Sequence, residues 1–505
     1  MADAKREIER KYEATDATRL PDLTRVAGVA AVDHLGITVL DAVYYDTEDF
    51  RLAADRLTLR RRTGGSDAGW HLKFPVSSGI RDELRAPLSD ALPPDLAGLV
   101  RSRVRGADLV PVVRLRSARD VHLLRGPDGA PLAELSVDAV RAERLHGPGR
   151  STAWTEIEAE LADDADPAFL DAVEERLTEA GIRPSASESK VARALAETAP
   201  DTPPGPRPDP PRTAGDHVLA YVREQAAEIV ALDPAVRRDL PDSVHRMRVA
   251  TRRLRSALRS HRTVLDRTVT DPVAGELRRL AAELGVDRDQ EVLDARLRAR
   301  LDTLPRTLVL GPVRARLRLW STARRAGTRR RTLAVLDSAR HLALLDALDA
   351  LVTDPPLLPA AAGPPGPELA RAVRRDRRRL AHRVDRALDL PPGPGRDRAL
   401  HDARKAAKRA RYAAETARPA LGKPAKKAAE RLKAVQTLLG DHQDGVVARE
   451  ALRTLAIQAH AAGEPSFTWG VLYGQEQAEA AARERELPAV WARAARDDLR
   501  AASGR

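Results

Sequence analysis

The order of apolar and polar residues changes character near residue 200 of this 505-residue chain. Before that point, short segments alternate apolar and polar residues between turn signals such as Gly64-Gly65, a pattern typical of antiparallel strands. The predicted strands are residues 6–12, 57–62, 70–74, 111–115 and 154–161, and helices are predicted over 22–35 and 167–180. After residue 213, apolar residues recur about every 3.6 positions, which predicts helical bundles.

Two proline-rich stretches divide the chain further. Residues 199–212 contain too many prolines for a helix or a sheet ladder, so we predict an extended linker there. A second stretch, residues 354–367, splits the helical part into two pieces of similar length. The pattern predicts an α+β multidomain protein with a β domain over 1–198, the linker over 199–212 and an all-α domain over 213–500, with halves 213–353 and 368–500.

Charge is distributed unevenly between these parts. The chain carries +12, but the first 200 residues hold 28 basic and 35 acidic side chains, and the remainder holds 58 and 39. The net charges are therefore −7 and +19, which predicts an anionic partner for the helical part.

Several classes of site and location are excluded or disfavoured by the composition. There is no cysteine, so disulfides, thiolate metal sites and cysteine nucleophiles are excluded. No apolar run reaches the roughly 18 residues of a membrane span, and the first residues are too charged for a signal peptide. We expect a cytoplasmic protein without a membrane partner.

The predicted strands place ionised side chains on one face each. Residues two apart point the same way in a strand, so Glu7, Glu9 and Lys11 share a face. The other strands with this habit carry Arg60 and Arg62, Lys73, Arg114 and Arg116, and Glu156, Glu158 and Glu160. One such strand would be an ordinary solvated face. Five of them favour a charged interior.

Carboxylates and basic groups facing one interior would suit a polyanion that carries divalent cations. Arginine and lysine neutralise phosphate oxygens, whereas glutamate holds Mg²⁺ or Mn²⁺. Metal and fixed cations together can stabilise a phosphoryl group that water attacks.

The strand Glu7-x-Glu9-x-Lys11 resembles the signature of the CYTH domain, the triphosphate tunnel metalloenzyme superfamily. The motifs that follow in the family's order are Tyr45-Asp46-Thr47, the segment 59–62, Lys73, Arg81-x-Glu83, Arg114-x-Arg116, Asp138, Glu156-x-Glu158 and Lys190. The resemblance covers about residues 3–198. It implies an eight-stranded antiparallel tunnel that binds triphosphate substrates with Mg²⁺ or Mn²⁺.

The resemblance also implies roles for individual residues. Metal binding and water activation would fall to Glu7, Glu9, Glu156 and Glu158, and the catalytic set would be Glu7, Glu9, Lys11 and Lys73. Phosphate would be held by Arg60, Arg62, Arg114, Arg116 and Lys190 together with the two catalytic lysines. The sequence departs from the family at Arg85, where a further acid is common, so the metal shell there is expected to be thinner.

The helical part contains an internal duplication. His-x-x-Arg-x-x-x-[Arg/Lys]-Arg-x-Arg occurs from His245 and again from His401, and a Leu-Gly-x-x-x-Asp element follows each copy, ending at Asp289 and Asp444. The two elements repeat at offsets of 156 and 155 residues, which indicates a duplication. We predict that both Leu-Gly elements are helix ends, and that the two aspartates cap helices or orient basic side chains.

Each copy forms a basic stripe on its predicted helix. At about 100° per residue, His245, Arg248, Arg252 and Arg255 fall within one arc of about 80°. Met247, Leu254, Ala257 and Leu258 fall on a separate arc suited to a bundle core. Like charges one turn apart repel, so the stripe predicts an anionic ligand, against the alternative of a solvated charged face.

This half resembles a CHAD domain, the conserved histidine α-helical domain, over about residues 213–500. The resemblance implies two pseudo-symmetric helical bundles around a basic groove that binds inorganic polyphosphate. The predicted ligands are His245, Arg248, Arg252, Arg253, Arg255, His401, Arg404, Lys405, Lys408, Arg409 and Arg411.

Together these features predict a polyphosphate-binding protein with a metal-dependent triphosphatase tunnel, with association to polyphosphate granules as an option. Three alternatives stay open. The tunnel could bind polyphosphate or tripolyphosphate ends without hydrolysis, or it could be a thiamine-triphosphatase or nucleotide cyclase tunnel. Nucleic-acid binding fits the pI of about 10.2, but 15 aromatic residues among Phe, Tyr and Trp offer few stacking platforms.

Overall fold

The computed structural model describes residues 3–147, 149–199, 210–325 and 327–496. The chain divides into two compact units, residues 1–207 and 208–505. Most of the predicted linker over 199–212 lies outside the described residues.

The first unit is a closed barrel of eight antiparallel strands. The strands are β1 (Asp3–Ala14), β2 (Ala31–Asp46), β3 (Thr58–Thr63), β4 (Gly69–Ser77), β5 (Ile80–Pro87), β6 (Val110–Arg125), β7 (Pro131–Arg144) and β8 (Ser151–Leu161). Their order around the barrel is β1-β5-β4-β3-β2-β6-β7-β8. Closure leaves no free sheet edge and confirms the predicted eight-stranded antiparallel tunnel.

Four helices accompany these strands in the described part of the unit. They are α1 (Arg51–Ala54), α2 (Pro94–Val104), α3 (Phe169–Glu179) and α4 (Lys190–Glu197). The helix predicted over 167–180 is confirmed by α3. The helix predicted over 22–35 is wrong, because only a short 3₁₀ turn, Leu23–Arg25, forms there and β2 begins at Ala31. The run of β-branched and aromatic residues through β2 favours the extended chain.

Apolar packing in this unit lies largely outside the barrel. Tyr12, Leu135 and Ile157 are fully buried in a cluster that includes residues of α3, and Leu59 and Leu72 are buried in a second cluster with residues of α2. Each of these barrel residues neighbours a charged residue in its own strand. Because strand side chains alternate, the outward apolar packing leaves the interior to ionised groups.

The second unit is helical throughout its described residues, apart from short 3₁₀ turns and one isolated β-bridge. The helices are α5 (Ala214–Arg237), α6 (Ser243–Ser260), α7 (Arg267–Glu283), α8 (Gly285–Thr303), α9 (Val313–Arg325), α10 (Thr328–Asp337), α11 (Ala339–Thr353), α12 (Pro365–Asp389), α13 (Pro394–Leu421), α14 (Lys423–Ala461) and α15 (Phe467–Ala494). No helix among the described residues is long and apolar enough to cross a membrane.

Both apolar cores of this unit draw on both halves of the sequence repeat. The larger core joins α5, α6 and α7 to α12, α13 and the first part of α14, and the smaller core joins α8 and α9 to the second part of α14 and the start of α15. The proline-rich stretch at 354–367 does not separate two cores. It contains a 3₁₀ turn, Pro359–Ala362, and α12 already begins inside it at Pro365.

The two Leu-Gly elements end up in different backbone settings. The first lies at the junction of α7 and α8, as predicted. The second, Leu439-Gly440, lies in the middle of α14, so its prediction as a helix end is wrong. One long helix in the second copy therefore replaces two helices in the first.

Candidate functional site

A cavity of about 380 Å³ occupies the barrel interior and is lined mainly by charged side chains. The ionisable residues that line it are Lys5, Glu7, Glu9, Lys11, Tyr44, Arg60, Arg62, Asp67, Lys73, Arg81, Arg85, Arg119, Glu134, Glu158, Glu160 and Lys190. Helix α4 contributes Lys190 and its neighbours Ser189 and Val191 to the lining. The predicted charged interior is thus present, with both signs of charge.

One end of this charge set is a carboxylate trio around a lysine. Asp138, Glu156 and Glu158 are buried, and one oxygen of each lies within 4.8 Å of the others. The Lys190 amino group lies 2.9 Å from Asp138, 2.8 Å from Glu156 and 2.5 Å from Glu158. Burial opposes ionisation of Asp138 and Glu156, but Lys190 together with Arg119 at Asp138, and Lys190 together with Lys11 at Glu156, outweigh it and lower the pKa of both carboxyls. The trio is therefore an anionic, all-oxygen site.

Two further carboxylates, Glu7 on β1 and Glu83 on β5, form a pair separate from the trio. Glu7 contacts the Lys73 amino group and lies 3.6 Å from Arg85, and Glu83 lies 3.6 Å from Lys73. Burial raises the pKa of Glu7 more than Lys73 lowers it. For Glu83 the balance is reversed, because the bond from His71 and the charges of Lys73 and Arg60 lower its pKa despite burial.

Glu9 and Lys11 connect the two carboxylate groups. The Lys11 amino group contacts Glu158 and lies 3.5 Å from Glu9, and Arg81 lies 3.9 Å from Glu9. Burial lowers the pKa of Lys11 to about 8 in spite of these carboxylates. The pKa of Glu9 is lowered, because Lys11, Lys73 and Arg81 together outweigh its burial.

Three further inward arginines, Arg60, Arg62 and Arg119, add positive charge to the lining. Arg60 donates to the Tyr44 hydroxyl at 3.2 Å, and Arg62 contacts Asp67. Burial, with the charges of Arg60 and Arg119, lowers the pKa of Arg62 to about 9. Arg119 donates twice to Asp138 at 2.8 Å and once to Glu158 at 2.6 Å.

Arg114 and Arg116, predicted to bind phosphate in the tunnel, do not line the cavity. Both contact Asp41, at 2.5 Å and 3.4 Å, and their side chains are 37% and 58% exposed. They line a separate groove with Arg141 and Arg150. The inward residues of β6 are Arg119 and Val121, so strand alternation turns even-numbered positions outward. Arg119 was not predicted as a tunnel residue. It lies an odd number of residues from Arg114 and Arg116, so its side chain points to the opposite face of the strand.

Asp46, quoted above in the Tyr45-Asp46-Thr47 motif, has a structural role. Its carboxylate accepts hydrogen bonds from the backbone N–H groups of Thr47, Leu52 and Ala53 at 2.7–2.9 Å. It therefore satisfies donors at the start of α1, which would otherwise lack partners.

In the helical unit, the two basic stripes meet where α6 packs against α13. Arg252 lies near the positive charges of Arg248 and Arg404, and Lys408 lies near all three arginines. We call Arg248, Arg252, Arg404 and Lys408 the basic cluster. It contains two equivalent positions from each copy of the repeat.

The Leu-Gly-x-x-x-Asp elements hold the two outer arginines of the basic cluster. Arg248 forms a bidentate pair with Asp289 at 2.8 and 2.9 Å, and Arg404 lies 3.8 Å from Asp444. A Cβ at Gly285 would lie 3.1 Å from the Arg248 guanidinium, so the glycine allows a close approach of that side chain. The aspartate follows one helical turn later on the same face. The prediction that the two aspartates orient basic side chains is therefore confirmed.

Burial and repulsion weaken the charges of the basic cluster. Burial lowers the pKa of Lys408 to about 7, and the neighbouring Arg404, Arg252 and Arg248 add to this while Asp444 opposes it. Burial and the same neighbours also lower the pKa of Arg252, whose Nε has no hydrogen-bond partner among the described residues.

The two motif histidines lie beside cavities of their own. A cavity of about 890 Å³ is lined by His401, Lys405, Arg398, Arg449 and Arg453 among others, and one of about 330 Å³ is lined by His245 and Arg329 among others. Burial, with Lys405 and Arg404, lowers the pKa of His401. The histidines are thus placed at equivalent sites on the two copies.

The structure does not bring every predicted polyphosphate ligand into the basic cluster. Arg409 lies 3.1 Å from the buried Asp376, and Arg253 and Arg411 lie 3.4 Å and 2.7 Å from Glu415. Arg253 and Arg409 follow Arg252 and Lys408 directly, so they point about 100° away on their helices. Arg255 lies near Arg259 and Arg278, and the exposed Lys405 pairs with Asp402 at 3.3 Å.

Both units match known protein families. A CYTH domain model matches residues 5–195, and a CHAD domain model matches residues 220–453. An uncharacterized protein found in two strains of Mycobacterium tuberculosis is 42% identical over 496 residues, covering 95% of this chain and 94% of that protein.

Solved structures resemble each unit more distantly. PptA from Streptomyces chartreusis is 22% identical, with a TM-score of 0.47 over 55% of this chain and 99% of its own. The CHAD domain of the plant Ricinus communis is 25% identical, with a TM-score of 0.45 over 59% of this chain and 96% of its own. HpAC1 from Hippeastrum, described with a dominant triphosphatase activity, is 21% identical, with a TM-score of 0.23 over 39% of this chain and 98% of its own.

Proposed function

Since the chain belongs to the proteins that join a CYTH domain to a CHAD domain, we propose that it captures inorganic polyphosphate and hydrolyses triphosphate ends. The helical unit would bind the polymer, and the tunnel would carry the chemistry. The observation that carries the proposal is a cavity lined by inward arginines and lysines and by Glu158, which belongs to the buried trio of Asp138, Glu156 and Glu158. A triphosphate with a divalent metal needs both kinds of group in one place.

CYTH enzymes are metal-dependent, and the residues present here fit a hard divalent cation. The trio offers three buried carboxylate oxygens within 4.8 Å of each other, the donor type that Mg²⁺ and Mn²⁺ prefer. A bound ion would neutralise phosphate oxygens and polarise the phosphoryl group that water attacks. We therefore assign the metal to Asp138, Glu156 and Glu158. Glu7 and Glu9, also expected as ligands, pair with Lys73 and Lys11 in the way that the trio pairs with Lys190, and they stay predicted ligands.

The side chains of the tunnel would divide the remaining work. Arg60, Arg119 and Lys73 supply fixed positive charge to phosphate oxygens and to the charge that develops during attack. Glu7 is suited to orient water and accept its proton, because burial raises its pKa and makes it a stronger base than Glu9, Glu83 or Glu156, whose pKa values are lowered.

Phosphate release from tripolyphosphate, long-chain polyphosphate, ATP and thiamine triphosphate, each with Mg²⁺ or Mn²⁺, tests the assignment. We expect the fastest release from tripolyphosphate or polyphosphate ends, and none without metal. Glu156→Gln keeps the shape of the trio and should remove most of the activity. Release from no substrate would favour a tunnel that only binds, and preference for thiamine triphosphate would favour that alternative.

The helical unit is proposed to bind polyphosphate at the basic cluster. Two stripes of like charge meet there, and a polyanion would relieve their repulsion. Arg252→Ala should weaken polyphosphate binding about tenfold, as expected for the loss of one charge-assisted contact. Lys427→Ala, an exposed lysine on α14, is the matched control. Duplex DNA that competes equally at matched salt would instead favour nucleic-acid binding.

A further inference from the structure

A second cluster of metal-ligating side chains lies on the outer wall of the barrel. One ligand atom each of His34, Asp120 and His122 lies within 4.8 Å of the others. His34 pairs directly with His122 across β2 and β6, and Asp120 precedes His122 by two residues, so it shares that face. Because Arg119 and Val121 line the tunnel, these neighbours face away from it.

A β-bulge in β2 brings His34 to this position. The pairing with β6 shifts between His34 and Gly36, so Leu35 is the extra residue, and Gly36 adopts a φ of +84°. Beyond the bulge Ile37 pairs with Asp120. His34 therefore lies on the same face as Ile37, although the two residues are three positions apart and would point to opposite faces of a regular strand.

The side chains converge on one point. The Asp120 oxygens lie 2.6 Å from His34 Nε2 and 3.6 Å from His122 Nε2. The two imidazoles stack with centroids 4.9 Å apart and planes 19° apart.

We propose that His34, Asp120 and His122 bind a divalent transition-metal cation of the Zn²⁺ class on the outer wall of the tunnel unit. Two imidazole nitrogens and one carboxylate oxygen suit such a cation better than Mg²⁺, which prefers oxygen ligands alone. Three protein ligands leave further positions open to water. The donor set is thus distinct from the all-oxygen trio inside the tunnel.

Calorimetric titration of the full-length, tag-free chain with ZnCl₂ tests this site, with Mg²⁺ in excess to occupy oxygen-only sites. One Zn²⁺ should bind, and His34→Ala and Asp120→Asn should each weaken its binding at least tenfold. His460→Ala, an exposed histidine near the end of α14, should leave the Zn²⁺ affinity unchanged. His34 is itself 59% exposed, so its loss should spare the fold, which thermal unfolding checks.

Electron paramagnetic resonance with Cu²⁺ as the probe gives a second readout. The wild type should show coupling to two nitrogens, and His34→Ala should show one fewer. Zn²⁺ binding that is undiminished in the His34→Ala, His122→Ala double variant, or no Zn²⁺ binding by the wild type, would overturn the proposal. Glu156→Gln should bind Zn²⁺ like the wild type, so the test of the outer-wall site does not depend on whether the proposed hydrolase activity is found.

Discussion

Positive charge in the tunnel is paired, whereas in the basic cluster much of it is not. Lys73, Lys11 and Lys190 each contact a carboxylate of the barrel interior. Among the residues that the structure describes, Lys408 has no ion-pair partner, and its nearest charges include three arginines. A tunnel ligand must therefore replace existing ion pairs, which a phosphate chain that brings its own cations can do. A polyanion at the basic cluster adds partners that the protein itself lacks.

This difference supports the different roles that we propose for the two units. Paired charges of both signs hold groups in fixed positions, as chemistry on a phosphoryl group requires. Crowded charges of one sign make the free state unfavourable and favour binding of a long polyanion.

A large predicted effect contrasts two arginines of β6. Arg119→Ala removes an inward cation that contacts the carboxylate trio, so the rate of phosphate release should fall about 100-fold. Arg116→Ala changes the same residue type on the outward face and should alter the rate less than about twofold. Kinetics with tripolyphosphate measure both, and equal losses would contradict the assignment of the two faces.

A smaller effect concerns the pH dependence of polyphosphate binding. Lys408 has a pKa of about 7 in the free protein, and a bound polyanion favours its charged form. Affinity should therefore fall as pH rises above 7, by about tenfold up to pH 9. Lys408→Arg keeps the charge and should flatten the profile. If Lys408→Arg shows the same pH dependence of affinity as the wild type, the group that titrates is not Lys408.

The smallest effect is on stability. Lys408→Met keeps the length of the side chain and removes a half-buried charge from among three arginines, so unfolding should cost about 1 kcal/mol more. The same change should weaken polyphosphate binding. Lys427→Met, on the exposed face of α14, should change neither quantity. Thermal unfolding at pH 6, where Lys408 is largely charged, gives the clearest comparison, and destabilisation there would contradict the account.

Alternation in the sequence predicted the charged tunnel well but could not settle every face. Glu7, Glu9 and Lys11 line the cavity as expected, because a regular strand keeps one face over several residues. Arg114 and Arg116 were predicted to point inward because they share one strand face and match the motif order. They lie an odd number of residues from the inward Arg119, however, and therefore point outward. The bulge at Leu35 could not be predicted, because a shift in pairing register is not visible in the residue pattern of a single strand.

In the helical half, periodicity predicted which residues are buried and which form the stripe. Met247, Leu254, Ala257 and Leu258 are all buried, as the helical wheel required. It could not show that the stripes of the two copies face each other, because that contact depends on tertiary packing of α6 against α13. Nor could it show that Arg409 pairs with Asp376, which lies 33 residues earlier in the chain.

The central claim is that hydrolysis belongs to the tunnel and polymer capture to the helical unit. Phosphate release from tripolyphosphate by Glu9→Gln, measured on a sample whose polyphosphate affinity is known, tests it most directly. We predict a loss of release on the order of 10³-fold, because the variant removes a charge that positions Lys11 beside Glu158 of the trio, with unchanged polyphosphate affinity. Undiminished release by Glu9→Gln would contradict the account.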